Sequence, residues 1–338
     1  MSDIASQEKA TSLASPLDSL SDSLTDDMRE VNAAILKEMQ SDVPMIPQLA
    51  GYLIAAGGKR IRPLMTLAGT LLFEGDMKRA HGLSAAVEFI HTATLLHDDV
   101  VDESDERRGQ KAANLIFGNK SSVLVGDYLF SKAFQLMVAD GSLEILRILS
   151  DASAIIAEGE VMQLGTANNI ETSLDEYLAV IKAKTAALFA ASCEVGPVIA
   201  GADAQTQKSM HDYGMALGIA FQIADDILDY KADQEALGKT IGDDFREGKM
   251  TAPVIFALEN ADELETLFWQ RTIQDKNQKE GDFESALEIL EKHDAVAQSF
   301  ALAQTYVSMA ENALPAAKNS VMQEILRSLA SFTLKRAF

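Results

Sequence analysis

AAVEFIHTATLLHDDVVDESDERRG, residues 85–109, is an apolar run that ends in an aspartate triplet and then in paired arginines. Leu83, Val87, Ile90 and Thr94 recur at three- and four-residue intervals, the period of one helix face. The same period returns in Leu143, Leu146, Leu149 and Ile156, in Leu174, Leu178, Ile181 and Leu188, and in Val321, Ile325 and Leu329. Sustained strand-like alternation is absent. Pro44, Pro47, Pro63, Pro197, Pro253 and Pro315 fall near expected helix starts or between segments, where a missing N–H and a fixed φ are tolerated. The chain is therefore predicted to be all-α, with about ten or more helices in one bundle. The alanine-rich segments from about 80 to 230 are expected at its centre. Between Asp262 and Asp282 the polar stretch QRTIQDKNQKEGD predicts a surface connector. Residues 1–17, polar and Ser-rich, are expected to form a flexible tail ahead of a single domain over 18–338.

Composition narrows the function classes. Of 338 residues, 47% are hydrophobic and 24% charged, which are globular values and exclude a disordered chain. Twenty-nine Lys and Arg against 51 Asp and Glu leave a net charge of −22, which repels polyanions, so no nucleic-acid partner is expected. Cys193 is the single cysteine, and the N-terminal stretch has neither a basic start with an apolar run nor an Arg-rich composition. A cytoplasmic location is predicted from both. No run approaches the ~18 apolar residues of a spanning helix, so membrane contact is expected to be transient at most.

Asp98, Asp99 and Asp102, then Asp225, Asp226 and Asp229, each form D-D-x-x-D after an apolar helical run. Residues four apart share a helix face, so Asp98 with Asp102, and Asp225 with Asp229, each put two carboxylates on one patch. Like charges so placed destabilise a helix by a few tenths of a kcal/mol per pair, and more where water is scarce. Oxygen-only ligands suit a hard divalent cation, Mg²⁺ in particular, which shares its shell with water and substrate phosphates. Either triplet alone reads equally as a solvated helix end; two with identical spacing favour a metal site.

Basic residues are scarce, and two clusters of them stand beside these acids. Gly57-Gly58-Lys59-Arg60-Ile61-Arg62-Pro63 joins close backbone approach to three cations, and Arg107-Arg108-Gly109 follows the first triplet. Both suit phosphate docking, although each alone also reads as surface ion pairs.

The elements GGKRIRP (57–63), LLHDDVVDESDERRG (95–109), EGEVMQ (158–163), AKT (183–185), FQIADDILDY (221–230) and GKTIGDDFREGKMTAP (238–253) resemble, in order and spacing, the trans-isoprenyl diphosphate synthases. The likeness is to their long-chain polyprenyl branch and runs from about residue 20 to the C-terminus. It implies an isoprenoid-synthase-type bundle around a central cavity, a homodimer, and Mg²⁺ ions that hold an allylic diphosphate for condensation with isopentenyl diphosphate. By position it implies Asp98, Asp102 and Asp225 as direct metal ligands, with Asp99, Asp226 and Asp229 ligating or supporting through water. Arg107, Lys184, Lys239 and Lys249 would hold the allylic diphosphate. Lys59, Arg62, His91 and Arg108 would hold that of isopentenyl diphosphate, and Thr185 and Gln222 would lie beside the allylic cation. Ala252 departs from the Leu of many relatives at a packing position and leaves Lys249 intact. A quinone side chain is the product's implied destination.

The growing chain must run from the metals into an apolar tunnel. Ala93 and Thr94, one turn before the first triplet, are expected to set its depth, and the small Ala93 leaves it open for roughly eight to ten isoprene units by analogy. Met137 and Leu149 are the next candidate floors, or ordinary core. Four alternatives are weighed at this point: a geranylgeranyl-length product; a terpene cyclase, which has no second diphosphate to bind and against which GGKRIRP and Arg107-Arg108 argue; a non-catalytic subunit of a heteromeric synthase, which lacks triplet residues that this sequence has; and a plain helical scaffold, which explains neither the paired triplets nor the clustered cations.

Overall fold

Ser15 opens the first helix. Its hydroxyl accepts from the Asp18 amide while the Asp18 carboxylate accepts from the Ser15 amide, with Pro16 at the first helical position, a reciprocal cap that starts the helix two residues ahead of the expected boundary. The computed structural model describes residues 15–55, 57–107, 109–231 and 241–335; residues 1–14 of the expected tail lie outside them. α1 (Pro16–Ser23), α2 (Thr25–Glu38), α3 (Met45–Ala55), α4 (Ile61–Leu72) and α5 (Met77–Val101) precede a short antiparallel hairpin, β1 (Glu106–Arg107) and β2 (Gln110–Lys111). Then come α6 (Ala113–Phe117), α7 (Asn119–Asp140), α8 (Leu143–Thr166), α9 (Leu174–Ile181), a π-turn (Lys182–Ala186), α10 (Ala187–Ile199) and α11 (Ala204–Lys231). The last part holds α12 (Asp243–Glu247), α13 (Ala252–Glu259), α14 (Glu263–Trp269), a second π-turn (Gln270–Gln274), α15 (Asp282–Lys292), α16 (Ala295–Ala313) and α17 (Ser320–Lys335).

The fold is a helical bundle, as the periodicity predicts. α4 and α10 are buried almost all round. They meet backbone to backbone: a Cβ on Gly196 would stand 2.4 Å from the carbonyl carbon of Gly69, and the Thr66 hydroxyl donates across the crossing to the Ser192 carbonyl at 3.0 Å. Pro197 lies inside α10, not between segments as expected. It removes the amide that would pair with Cys193, and that carbonyl faces Gly69 at the same crossing. Gly196→Ala should therefore force the helices apart and destabilise the protein by about 1–3 kcal/mol, read as a midpoint several degrees lower in thermal unfolding. An unchanged midpoint would mean that the crossing yields freely.

The polar stretch 262–282 is more than a connector. Asp262 caps α14 in another reciprocal box, and Trp269 and Ile273 are fully buried. Arg271 folds back to make two bonds of 2.7 Å to Asp282. The apolar residues here are too few to give a periodic signal, while the caps and the ion pair do the folding. Among the described residues no helix is long and apolar enough to cross a membrane.

Candidate active site

The first triplet splits by direction at the C-terminal end of α5. Asp99 is fully buried; its Oδ1 accepts from Arg107 Nε at 2.9 Å and from a second guanidinium nitrogen, and its carbonyl accepts from the Ser104 amide and the Asn114 side chain. The β1–β2 hairpin is thus folded back so that Arg107 neutralises Asp99. Asp98, one position earlier, stands 3.8 Å from Lys184 Nζ, which also meets Glu160 Oε2 at 2.7 Å. Burial pushes the Asp98 carboxyl up to about 7, with the Lys184 ammonium pulling it down and Glu160 and Asp102 pushing it up. Asp102 caps α5, its amide bonded to the Asp98 carbonyl at 2.8 Å.

Lys184 and Thr185 sit on the π-turn, a local widening that redirects side chains. Glycines clamp this turn on two sides. A Cβ on Gly159 of α8 would stand 2.7 Å from the Lys184 amide nitrogen, and one on Gly218 of α11 would stand 2.6 Å from Ala186 Cα. The Thr185 hydroxyl donates to Gln222 Oε1 at 2.9 Å, and Gln222 Nε2 donates to Asp226 Oδ1 at 2.8 Å. The other Asp226 oxygen accepts from the buried Tyr177 phenol.

The second triplet is also divided. Asp225 is half-buried and Asp226 buried. Burial drives the Asp226 carboxyl up to about 7, with the bonds from Tyr177 and Gln222 working against it. Both Asp229 oxygens accept backbone amides, from Asp243 at 3.2 Å and Asp244 at 2.9 Å, so Asp229 caps α12. Asp244, pushed well above the usual carboxylate range by burial, lies close enough to Asp225, Asp226 and Asp229 to feel all three charges. Lys249 meets Asp244 at 3.4 Å and Glu247 at 2.5 Å. Burial opposes its charge, yet these acids and Asp102 of the first triplet hold its pKa above the ordinary lysine value, which puts an ammonium under the influence of both triplets.

The second basic element lies at the start of α4. Gly57 and Gly58 take positive φ, Lys59 is exposed, and Arg60 pairs with Glu88 at 3.0 Å. Arg62 lies 3.2 Å from His91 Nε2 and 4.5 Å above the Phe189 ring. A guanidinium only donates, so His91 Nε2 accepts and the imidazole is neutral with its proton on Nδ1.

The structure therefore brings Asp98 and Lys184 together with Glu160, links Thr185, Gln222 and Asp226 in a separate chain that starts at the next residue of the π-turn, and pairs Arg62 with His91. Asp99, Asp226 and Asp229 are engaged with protein donors. Arg108 and Lys239 lie outside the described residues. Ala93, Met137 and Leu149 are buried, and Thr94 donates its hydroxyl to the His91 carbonyl at 2.8 Å. Sequence reasoning did not single out Glu88, Tyr177 or Asp244, and it gave Glu160 no role. Glu160 and Asp244 lie inside quoted elements, while Tyr177 carries no local signal. Among the described residues no three His, Cys, Asp or Glu side chains already converge as a ligand set. The all-oxygen donors and the raised carboxyls at Asp98 and Asp226 nevertheless suit a hard divalent cation that would relieve their crowding.

Comparison with known proteins shows the family. The chain is 42% identical over 314 residues to the octaprenyl diphosphate synthase of Haemophilus influenzae, covering 92% of this chain and 94% of that one. Its fold matches a decaprenyl diphosphate synthase from Rhodobacter capsulatus at 49% identity and a TM-score of 0.91, covering 96% of this chain and 100% of that one. It matches equally a polyprenyl synthase from Caulobacter crescentus complexed with calcium and isoprenyl diphosphate, at 49% identity and a TM-score of 0.91 over 95% and 98% of the two chains. With the polyprenyl synthetase family model matching residues 43–290 as well, the chain belongs to that family of trans-prenyltransferases.

Proposed function

We propose that the chain joins an allylic diphosphate, farnesyl or geranylgeranyl diphosphate, to successive isopentenyl diphosphates, giving an all-trans polyprenyl diphosphate of roughly eight to ten isoprene units. One observation carries the reading: the Lys184 ammonium of the π-turn stands between Asp98 and Glu160, and the Lys249 ammonium lies within electrostatic reach of both Asp102 of the first triplet and Asp226 of the second. Asp98, Asp102 and Asp225 would hold Mg²⁺, since Asp99, Asp226 and Asp229 already carry Arg107, the Tyr177–Gln222 pair and the α12 amides. The Caulobacter complex with calcium and isoprenyl diphosphate supports a divalent cation beside a diphosphate. Bound Mg²⁺ supplies charge neutralisation for a departing diphosphate.

Lys184, Lys249 and Arg107, together with Lys239, grip the allylic diphosphate. Lys59, Arg62 and His91, together with Arg108, hold that of isopentenyl diphosphate, with the neutral His91 offering Nδ1–H as a donor. The allylic C1–O bond breaks and its electron pair leaves with the diphosphate. The isopentenyl double bond supplies the pair for the new C–C bond, and the adjacent proton passes to the released pyrophosphate. Thr185 and Gln222 present oxygen to the cation, and these fixed dipoles act most strongly where water is excluded.

We read the active form as a homodimer: Leu115, Ile116, Leu124, Phe134 and Val138 leave a run of exposed apolar side chains on α6 and α7. Cytoplasmic synthesis of a quinone side chain, with transient membrane contact for release, fits the same reading.

The test is incubation of the protein with farnesyl diphosphate, excess isopentenyl diphosphate and Mg²⁺, followed by chain-length analysis of the dephosphorylated products. A dominant long all-trans product is expected, and EDTA should abolish it. A geranylgeranyl product would keep the chemistry and overturn the length. Release of pyrophosphate from the allylic substrate alone, without elongation, would overturn both.

A further inference from the structure

We propose that Tyr177 is a positioning residue for the condensation, aiming the Thr185 hydroxyl oxygen at the allylic carbocation through Asp226 and Gln222; this rests on the placement of Thr185 and Gln222 beside that cation. The four groups form one directed chain. Tyr177 donates to one Asp226 oxygen, Gln222 Nε2 to the other at 2.8 Å, and Thr185 Oγ1 to Gln222 Oε1 at 2.9 Å.

The direction follows from chemistry. Gln222 stands with its NH₂ toward Asp226, which accepts as a carboxylate, and this leaves Oε1 for Thr185. The threonine hydroxyl then spends its proton on Oε1 and presents lone pairs elsewhere. A lone pair facing a developing cation stabilises it, whereas an O–H pointing the same way repels it.

Tyr177 removes the remaining freedom. Without a donor on its outer oxygen, the Asp226 carboxylate can rotate, the Gln222 amide can flip, and the threonine proton is released. Packing supports the same role. Tyr177 on α9 and Thr185 on the π-turn belong to one continuous stretch that grips α11 at Asp226 and at Gln222, and a Cβ on Gly218 would stand 2.6 Å from Ala186 Cα just beside them. The grip fixes the turn relative to α11, and the hydrogen bonds fix the hydroxyl.

Tyr177→Phe removes the donor and keeps the ring. Expected is a kcat about 10- to 100-fold lower, the size of a lost hydrogen bond to a charged group, with KM for both substrates within about twofold of wild type. Circular dichroism and the thermal midpoint check the fold. Thr185→Val should lower kcat comparably, and the double variant should be little slower than Thr185→Val alone, because residues in one network are not additive. Gln222→Met provides a second handle should Tyr177→Phe fold poorly: it cuts the chain between Asp226 and Thr185, so kcat falls about as far as in Thr185→Val. Full multiplication of the Tyr177 and Thr185 effects, a wild-type kcat in Tyr177→Phe, or a wild-type kcat in Gln222→Met would each overturn the role of Tyr177. Absence of elongation by the wild-type protein would instead overturn the reading beneath it.

Discussion

Asp98→Asn is expected to lower kcat for elongation by about a thousandfold while leaving the metal-free protein at least as stable as the wild type. Asp98 is mostly buried, faces Glu160 and Asp102, and has the Lys184 ammonium at 3.8 Å, with the Arg107 charge adding a weaker pull. Its carboxyl moves from an ordinary 3.8 to about 7. A carboxyl raised in the folded state binds its proton more tightly there than in the unfolded chain. Stability is then lost as pH climbs from about 4 through about 7. Asn carries no charge and escapes this loss, while Lys184 keeps Glu160 at 2.7 Å. In EDTA near pH 8 the variant should therefore unfold at or above the wild-type midpoint, and the difference should vanish below about pH 4. Single-turnover kinetics and thermal unfolding across that range measure both halves. Activity within about tenfold of wild type, or a midpoint several degrees below it at the alkaline end, would defeat the argument that Asp98 gives up stability for charge.

The same split between charge and packing explains how much the amino-acid sequence shows. Helix periodicity is a one-dimensional signal, so α5, α8 and α17 could be read directly, and the D-D-x-x-D spacing located both acidic patches. Spacing does not tell which carboxylates point outward. Asp99 turns in because the hairpin brings Arg107 back to it, and Asp229 turns to α12 because Gly242 bends the chain so that the Asp243 and Asp244 amides meet it. Both outcomes depend on loops eight to fifteen residues away. Tyr177 was invisible for a stronger reason: its partner Asp226 is 49 residues distant, and nothing local separates it from a core tyrosine. The π-turn likewise leaves no mark of its own; the close helix approach around it, at Gly159 and Gly218, is made by residues distant in sequence.

With farnesyl diphosphate as primer, Ala93→Phe is expected to convert the product from a long chain to a short one that ends one or two additions beyond the primer, geranylgeranyl in length or one unit longer, with the rate of the first condensation little changed. Ala93 is fully buried one turn below the first triplet, with Met137 and Leu149 buried on the following helices. Two physical situations give a buried alanine there. If it lines the tunnel, a phenyl ring fills space that the growing chain would occupy, the protein keeps its midpoint, and elongation stops after one or two additions. If it is ordinary core, the ring must displace packed neighbours at about 1–3 kcal/mol, so the midpoint falls and the product length stays. Chain-length analysis and thermal unfolding of the same preparation separate the two. Met137→Phe extends the logic along the tunnel: a floor placed deeper gives a product of intermediate length. The order of lengths, shortest for Ala93→Phe and longest for the wild type, would tie chain length to depth beneath the metals, whereas a single length for all three proteins would place the limit elsewhere.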